Sequence, residues 1–313
     1  MLNGVIGIHN LQGYSKSVAF NNIINKFVSK IKDNLQGKRF VIGLELQTSA
    51  IINDILNEKF RKNIQSINPE SEIDKGDILT AIKNANGFNP NIFVSQVTFE
   101  TLVKFFIDKI KPHAKEAAES VANELVELFM SIDLDEMSGV PNLKYAFIEV
   151  LSKLVQRNLA PTLDFLEHFF EIEQGHINTR HPDFSVNPTE TPTFENNSGE
   201  SSRHCELSNE SDKKILGLAK RERSEIELIR KMLCSYFNIV KKNTCDYVPK
   251  IVLTMLLYKT INYCETELVN NLLNEESMEK ILKPSDDGKE RVEFLEDEIK
   301  KIREANKLFS AIM

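Results

Sequence analysis

The stretch Gly76–Pro112 reads GDILTAIKNANGFNPNIFVSQVTFETLVKFFIDKIKP, and its two halves decide the fold class. Asp77–Ala85 carries a short helical pattern that runs into a cluster of turn formers, Asn86-Gly87-Phe88-Asn89-Pro90. Glycine tolerates backbone conformations that other residues resist, and proline lacks a backbone donor, so a helix is expected to stop here. From Val97 a second pattern starts. Phe99, Leu102, Val103, Phe106, Ile107 and Ile110 recur at spacings of three and four, which places them on one helical face. The stripe resumes beyond Pro112 at Ala117, Val121, Leu125, Leu128 and Phe129, predicting one helix from Val97 to Ile132 with a kink at the proline. At the usual rise per residue such a helix is about 50 Å long. The loop before it presents an aromatic, Phe88, between turn residues, which suits docking better than catalysis.

Toward the N-terminus, Met1–Gly13 is weakly patterned and expected to be irregular. Val18, Ile23, Ile24, Phe27, Val28, Ile31 and Leu35 predict a helix from Ser15 with a stop at Gly37. A further helix is predicted over Val41–Ile64, with Leu44, Leu46, Ile51, Ile52, Ile55, Leu56 and Phe60 inward, followed by a polar loop over Pro69–Gly76. Toward the C-terminus, Asp133–Pro141 reads as a turn. Asn142–Gly175 then reads as a long helix through Leu143, Phe147, Val150, Leu151, Leu154, Val155, Leu159, Leu163, Leu166 and Phe170, bent at Pro161. Ser185–Asp212 changes character: it is acidic, rich in Asn, Ser, Thr, Glu and Pro, and almost free of apolar residues. Such a segment cannot bury enough surface to offset chain entropy and is expected to be disordered. Helical patterning returns over Lys213–Leu273, with a break near Tyr247-Val248-Pro249, and again over Lys289–Ile312 after a loop at Pro284–Gly288. No segment alternates at strand period. The expectation is an all-α chain forming an elongated antiparallel four-helix bundle. Residues 1–184 would supply three helical segments with the first broken, 185–212 an insert, and 213–313 the fourth helix and its tail.

Composition agrees with long solvated helices. The 313 residues are 27% charged, contain only 12 Gly and 10 Pro, and hold no Trp. A net charge of −7 argues against a nucleic-acid binder. Cys205, Cys234, Cys245 and Cys264 show neither CxxC pairing nor a His at zinc spacing, so reduced thiols are expected. The N-terminus lacks a signal-peptide pattern. The longest apolar run, Ile251–Tyr258, is far short of the roughly 20 residues a membrane span needs. A cytoplasmic protein with peripheral or partner-mediated membrane contact is the expectation.

Candidate chemistry is sparse. No GxxxxGK[ST] or GxGxxG phosphate loop exists, and Gly4, Gly7 and Gly13 are too far apart to form one. His176, His181 and Asp183 have looser spacing than zinc prefers, and Thr179–Pro182 reads as a helix-ending turn. Glu167, Glu171 and Glu173, like Glu296, Asp297 and Glu298, read as solvated faces with no nucleophile beside them. Lys213, Lys214, Lys220, Arg221 and Arg223 form a basic cluster, read as a solvated helix start rather than a lipid contact. These residues predict no catalytic, cofactor or metal site. For the Gly87-Phe88-Asn89-Pro90 loop, an ordinary connection and a protein-binding tip stay equally open on patterning alone.

Three blocks in order carry a family resemblance. Asp77-Ile-Leu-Thr-Ala-Ile-Lys-Asn-Ala-Asn-Gly87, with Phe93-Val94 and Phe99-Glu-Thr-Leu-Val-Lys104, resembles the middle region of the dynamin-related GTPases that divide mitochondria and peroxisomes. His176-Ile-Asn-Thr-Arg-His-Pro-Asp-Phe184 is similar to the motif closing that region. Ile229-Arg230, Ser235–Asn243 and Val248-Pro249-Lys250 are similar to the start of the GTPase effector domain. The resemblance covers Val41–Met313. It implies a four-helix stalk that forms homodimers and higher helical oligomers around a membrane neck. Recruitment to organelle membranes would be indirect or through an adaptor. It also implies that GTP and Mg²⁺ serve a separate N-terminal GTPase domain outside this sequence, as in an excised stalk. Within the stalk it assigns Gly87, Phe88, Asn89 and Pro90, with Ala81 and Lys83 nearby, to an assembly contact. Segment 185–212 would stand where classical dynamins carry a lipid-binding domain. One departure is Thr48-Ser49, where the family often has two glycines. Two other readings remain: a helical adaptor that never polymerises, and an Mx-like antiviral stalk, whose insert is usually basic where this one is acidic.

Overall fold

The structure is a computed structural model, and it describes residues 14–36, 47–87, 95–137, 140–185, 220–274, 278 and 281. The expected insert beyond Ser185, the helix over Lys289–Ile312, and Phe88, Asn89 and Pro90 lie outside the described residues. Among the described residues there is no strand, and the all-α expectation holds.

Nine α-helices are described: α1 Tyr14–Leu35, α2 Thr48–Asn53, α3 Phe60–Ser66, α4 Pro69–Glu72, α5 Lys75–Asn86, α6 Gln96–Ser131, α7 Pro141–Gly175, α8 Lys220–Ile251 and α9 Lys259–Leu272. Two π-helical stretches interrupt them, Asp54–Lys59 between α2 and α3 and Val252–Tyr258 between α8 and α9. A 3₁₀ turn at Asp135–Met137 precedes α7. The expected polar loop over Pro69–Gly76 is largely helical instead. Asn68 caps α4 by accepting the Glu70 N–H at 3.1 Å, with Pro69 at the first helical position, where its missing N–H costs nothing. Asp74 opens α5 with a capping box: its carboxylate accepts the Asp77 N–H at 2.7 Å, and Asp77 accepts the Asp74 N–H at 3.3 Å. The Asp, Glu and Pro that read as loop are therefore helix-start signals. Pro112 and Pro161 both sit inside unbroken helices.

The described residues divide into two compact units. Unit 1 draws on Met1–Asn53, Glu119–Thr162 and Val252–Met313. Its core is built on α1, whose Phe20, Ile23, Ile24, Phe27, Val28 and Ile31 are all buried. Phe147 of α7 meets Phe20 and Phe27 edge-on at 6.1 and 5.2 Å between ring centres, the geometry that aligns ring edge with ring face. Lys26 pairs with Glu136, and Lys30 donates to the Asp133 carbonyl, fastening α1 to the turn before α7. A polar link lies inside this core: the Asn158 side chain donates to Thr260 Oγ1 at 3.0 Å, and the Thr162 hydroxyl donates to the Asn158 carbonyl at 2.7 Å. Buried polar atoms must be paired in this way or they cost stability.

Unit 2 draws on Asp54–Ala118 and Leu163–Ile251. Here α6 and α7 run antiparallel, since Lys111 reaches Glu167 while Lys104 and Asp108 both meet Gln174. The predicted α6 face, Phe99, Leu102, Val103, Phe106, Ile107 and Ile110, is buried in full. Phe106 packs on Phe237 of α8 at 5.2 Å, and Ile78 and Ile82 of α5 close the core.

Both π-helical stretches follow from apolar spacing. Val248, Val252, Leu256, Thr260, Cys264, Leu268 and Leu272 are all buried and recur every fourth residue. Four residues of α-helix turn about 400°, so this stripe would drift by about 40° at each step, some 240° over its length. A π turn closes i→i+5 bonds and takes more residues per revolution, which brings the stripe back toward the core. Ile52, Leu56, Phe60 and Ile64 repeat the spacing across the other π stretch. The break expected at Tyr247–Pro249 is thus a change of helix type beginning at Val252, and α8 continues through Pro249.

Candidate self-association surface

Three features of unit 2 carry the functional reading. The first is the end of α5. Ala81 is half-buried and Lys83 exposed, and the Lys83 carbonyl accepts the Gly87 N–H at 3.2 Å. Gly87 ends the helix at φ 54° and ψ −128°, a conformation closed to residues with a Cβ. Glycine is required there for its backbone and not for space, because an added Cβ would meet nothing within 4 Å. The chain is described again at Ser95, a buried residue whose hydroxyl accepts the Thr98 N–H at 3.3 Å and starts α6. So Ala81, Lys83 and Gly87 share one helix end, and the structure does not describe the other three residues of the predicted contact.

The second feature is the His176–Phe184 motif, which is a clasp. The Asn178 N–H donates to the Tyr236 hydroxyl at 3.1 Å, Asp183 pairs with Lys242 at 2.8 Å, and Ser235 and Ser185 bond to each other's groups. Phe184, Phe99 and Tyr236 stand about one another with ring centres 6.0 to 6.2 Å apart. The Lys242 hydrogen bond holds the Asp183 carboxyl below its ordinary pKa. His181 Nδ1 accepts the Asp183 N–H at 3.1 Å, a turn-forming use of the ring. Among the described residues no cluster of three His, Cys, Asp or Glu could hold a metal ion. The carboxylates singled out from the sequence are scattered in role: Glu167 accepts from Lys111 at 3.2 Å, Glu171 is exposed, and Glu173 is half-buried with Asn243 donating to it at 3.2 Å. Of the basic cluster, Lys220 opens α8 and Arg223 is exposed on its first turn, while Lys213 and Lys214 lie outside the described residues.

The third feature was missed by sequence reasoning. Phe165, Phe169 and Ile172 follow one another at spacings of four and three along α7, with Phe165 50% and Ile172 72% exposed. Phe169 stacks on Tyr247 of α8 at 5.7 Å, and Tyr247 is itself exposed. The α7 edge of this stripe is acidic, with Asp164, Glu167 and Glu171 around His168. His168 Nδ1 lies 2.6 Å from the Asp164 carbonyl, and that bond, helped by the Glu171 charge, lifts the imidazole pKa above its ordinary value. The α8 edge carries Lys250 over the Tyr247 ring at 5.6 Å, held by Asp246 at 2.6 Å. The missed signal is a second apolar stripe on α7: Leu166 and Phe170 are buried, and Phe165, Phe169 and Ile172 form another row beside them. A helix apolar on two faces has two partners to satisfy.

Among the described residues no helix is long and apolar enough to cross a membrane. Comparison with known proteins agrees with the blocks seen in the sequence. Residues 6–191 match the family model of the dynamin central region, and residues 221–312 match that of the dynamin GTPase effector domain. The chain is similar to Dynamin-1-like protein of Danio rerio, 25% identical over 93% of this chain and 51% of the relative. It is also similar to Dynamin-1-like protein drp-1 of Caenorhabditis elegans, 24% identical over 98% of this chain and 56% of the relative. A shorter stretch is 33% identical to Dynamin-related protein DNM1 of Saccharomyces cerevisiae, over 52% of this chain and 22% of that one. The chain thus spans about half the length of the curated relatives it matches most fully. Its central and effector regions, in that order on an all-α scaffold, make it a member of the dynamin family.

Proposed function

We propose that this chain is the self-association stalk of a dynamin-type GTPase, forming homodimers and then larger helical oligomers that remodel membranes in mitochondrial or peroxisomal division. GTP and Mg²⁺ would act in a region outside this sequence, and membrane recruitment would be indirect or through an adaptor. The observation that carries the reading is the Phe165–Phe169–Ile172–Tyr247 stripe. Exposed aromatic rows of this kind mark protein contacts. The occupant that fits is a second copy of this chain. The stripe is acidic along α7 and has Lys250 on α8, so two copies related by a two-fold axis can set each acidic edge against the other's lysine. A second contact at the α5–α6 connection would then extend dimers into an open polymer.

The test is solution mass against concentration by light scattering. The parent is expected to grow beyond a dimer. Phe165→Ser with Ile172→Ser is expected to hold it at a monomer. Replacing Phe88, Asn89 and Pro90 by Ala is expected to stop it at a dimer, with Gly87 retained because its positive φ would turn a contact test into a backbone-strain test. A parent that stays monomeric at every concentration overturns the stalk reading in favour of a non-polymerising adaptor.

A further inference from the structure

His168 stands on the seam of the exposed α7 surface. It follows Phe165 by three residues and precedes Ile172 by four, and it follows Asp164 by four and precedes Glu171 by three. Side chains at these spacings are neighbours on a helix. All five residues are exposed. One flank of the imidazole is therefore the apolar row and the other is the acidic edge. The Asp164 carbonyl lies 2.6 Å from its Nδ1, and Glu171, Asp164 and Glu167 surround it with negative charge, so bond and charges together favour the protonated ring. Of the helices packed against α7, α6 presents Lys111, which donates to Glu167 and pairs with Asp108 at 3.0 Å. On the other side α8 presents Tyr247 against Phe169, with Asp246 and Lys250 paired next to it. His176, also exposed, follows four residues after Ile172.

In a two-fold pairing of copies along the stripe, the acidic edge of one copy meets Lys250 of the other. A protonated His168 opposes that contact in two ways. It cancels part of the negative charge that attracts the lysine, and it carries into an apolar contact a charge that water otherwise solvates. The neutral ring does neither. We propose that His168 makes self-association pH-dependent, the neutral ring admitting a second copy along the stripe and the protonated ring holding it off. The proposal rests on the reading of that stripe as the contact between copies. A copy that gives up a proton on joining associates more tightly as pH rises through the pKa of the free ring. Since the Asp164 bond lifts that pKa above its ordinary value, the change is placed toward neutral pH. The same lift favours the folded chain at acid pH and is lost as pH rises, so weaker assembly in acid is not a loosening of the fold by this ring.

The test uses the full chain, with solution mass followed against concentration by light scattering at pH 6, 7 and 8 and constant ionic strength, and melting temperature read in parallel. The concentration for half-maximal dimer should be roughly fivefold to tenfold higher at pH 6 than at pH 8. His168→Gln should bring that ratio close to one. His168→Lys, positively charged at every pH used, should keep association weak throughout. Both variants should melt within about 2 °C of the parent, as exposed substitutions do. A parent whose midpoint is constant or falls in acid overturns the proposal, as does a His168→Gln variant that keeps the parent's pH dependence. Phe165→Ser with Ile172→Ser separates the two failures. If it stays monomeric while the parent's dimer is indifferent to pH, only the role of His168 falls. If it associates like the parent, the stripe is not the contact, and both readings fall.

Discussion

Glu173 shows how burial sets the behaviour of a side chain that the sequence can only count. It stands near the end of α7, half-buried, and burial pushes its carboxyl above the ordinary pKa against the Asn243 hydrogen bond, which pulls it down. A carboxyl whose pKa rises on folding favours the folded state while protonated and loses that advantage as pH climbs from its unfolded value, near 4.5, through its folded value. Glu173→Gln keeps an acceptor for Asn243 and removes the charge. It should melt at a higher temperature than the parent at pH 7, with the difference closing below pH 4.5, as thermal melts across that range would show. At this scale, residue types were legible in the sequence and their surroundings were not. Gly87 was expected to end a helix, and its φ of 54° is the reason. His181 reads as a turn residue in both sequence and structure, whereas Phe165 and Ile172 look like core residues until their exposure is known.

The helices themselves were largely legible because their apolar spacing is strong. The α6 face is buried as predicted, the α1 face is buried from Ile23 to Ile31 while Val18 is exposed and Leu35 half-buried at its two ends, and α6 and α7 each end within a residue or two of expectation. The misses concern phase and capping. The short α4 was hidden among Pro, Glu and Ser, and the π-helical stretches were hidden in a fourfold spacing that looks ordinary over two turns and drifts only over several. Deleting Thr254, exposed within Val252–Tyr258, removes the additional residue and should leave an α-helix with Thr260, Cys264, Leu268 and Leu272 still inward. Deleting Asn262 from regular α9 instead rotates Cys264, Leu268 and Leu272 by about 100° out of the core. Circular dichroism and thermal melts should show a folded protein for the first deletion and a severely destabilised one for the second. Labelling of Cys264 reports the same difference, since burial pushes its thiol pKa up to about 12 and keeps it unreactive in the parent.

Across the whole molecule, α6 and α7 each contribute to both compact units without interruption. Phe147 centres an aromatic cluster in unit 1 and Phe106 packs in the core of unit 2. Phe147→Ala and Phe106→Ala should each cost about 3–5 kcal/mol. Because the shared helices are continuous, either change should lower one common melting transition in calorimetry; two separate transitions, with only one moved, would show that the units unfold independently. Helical class, helix order and family were carried by pattern, composition and three motif blocks, all of which are local or follow chain order. The tertiary structure alone decided which apolar residues stay outside, as with the Phe165–Ile172 row, and which distant residues meet, as with Glu225 and Ser95 or Asn158 and Thr260. The physical reason is that spacing tells a helix which residues share a face. Whether that face meets a neighbour or water depends on elements packed against it from elsewhere in the chain.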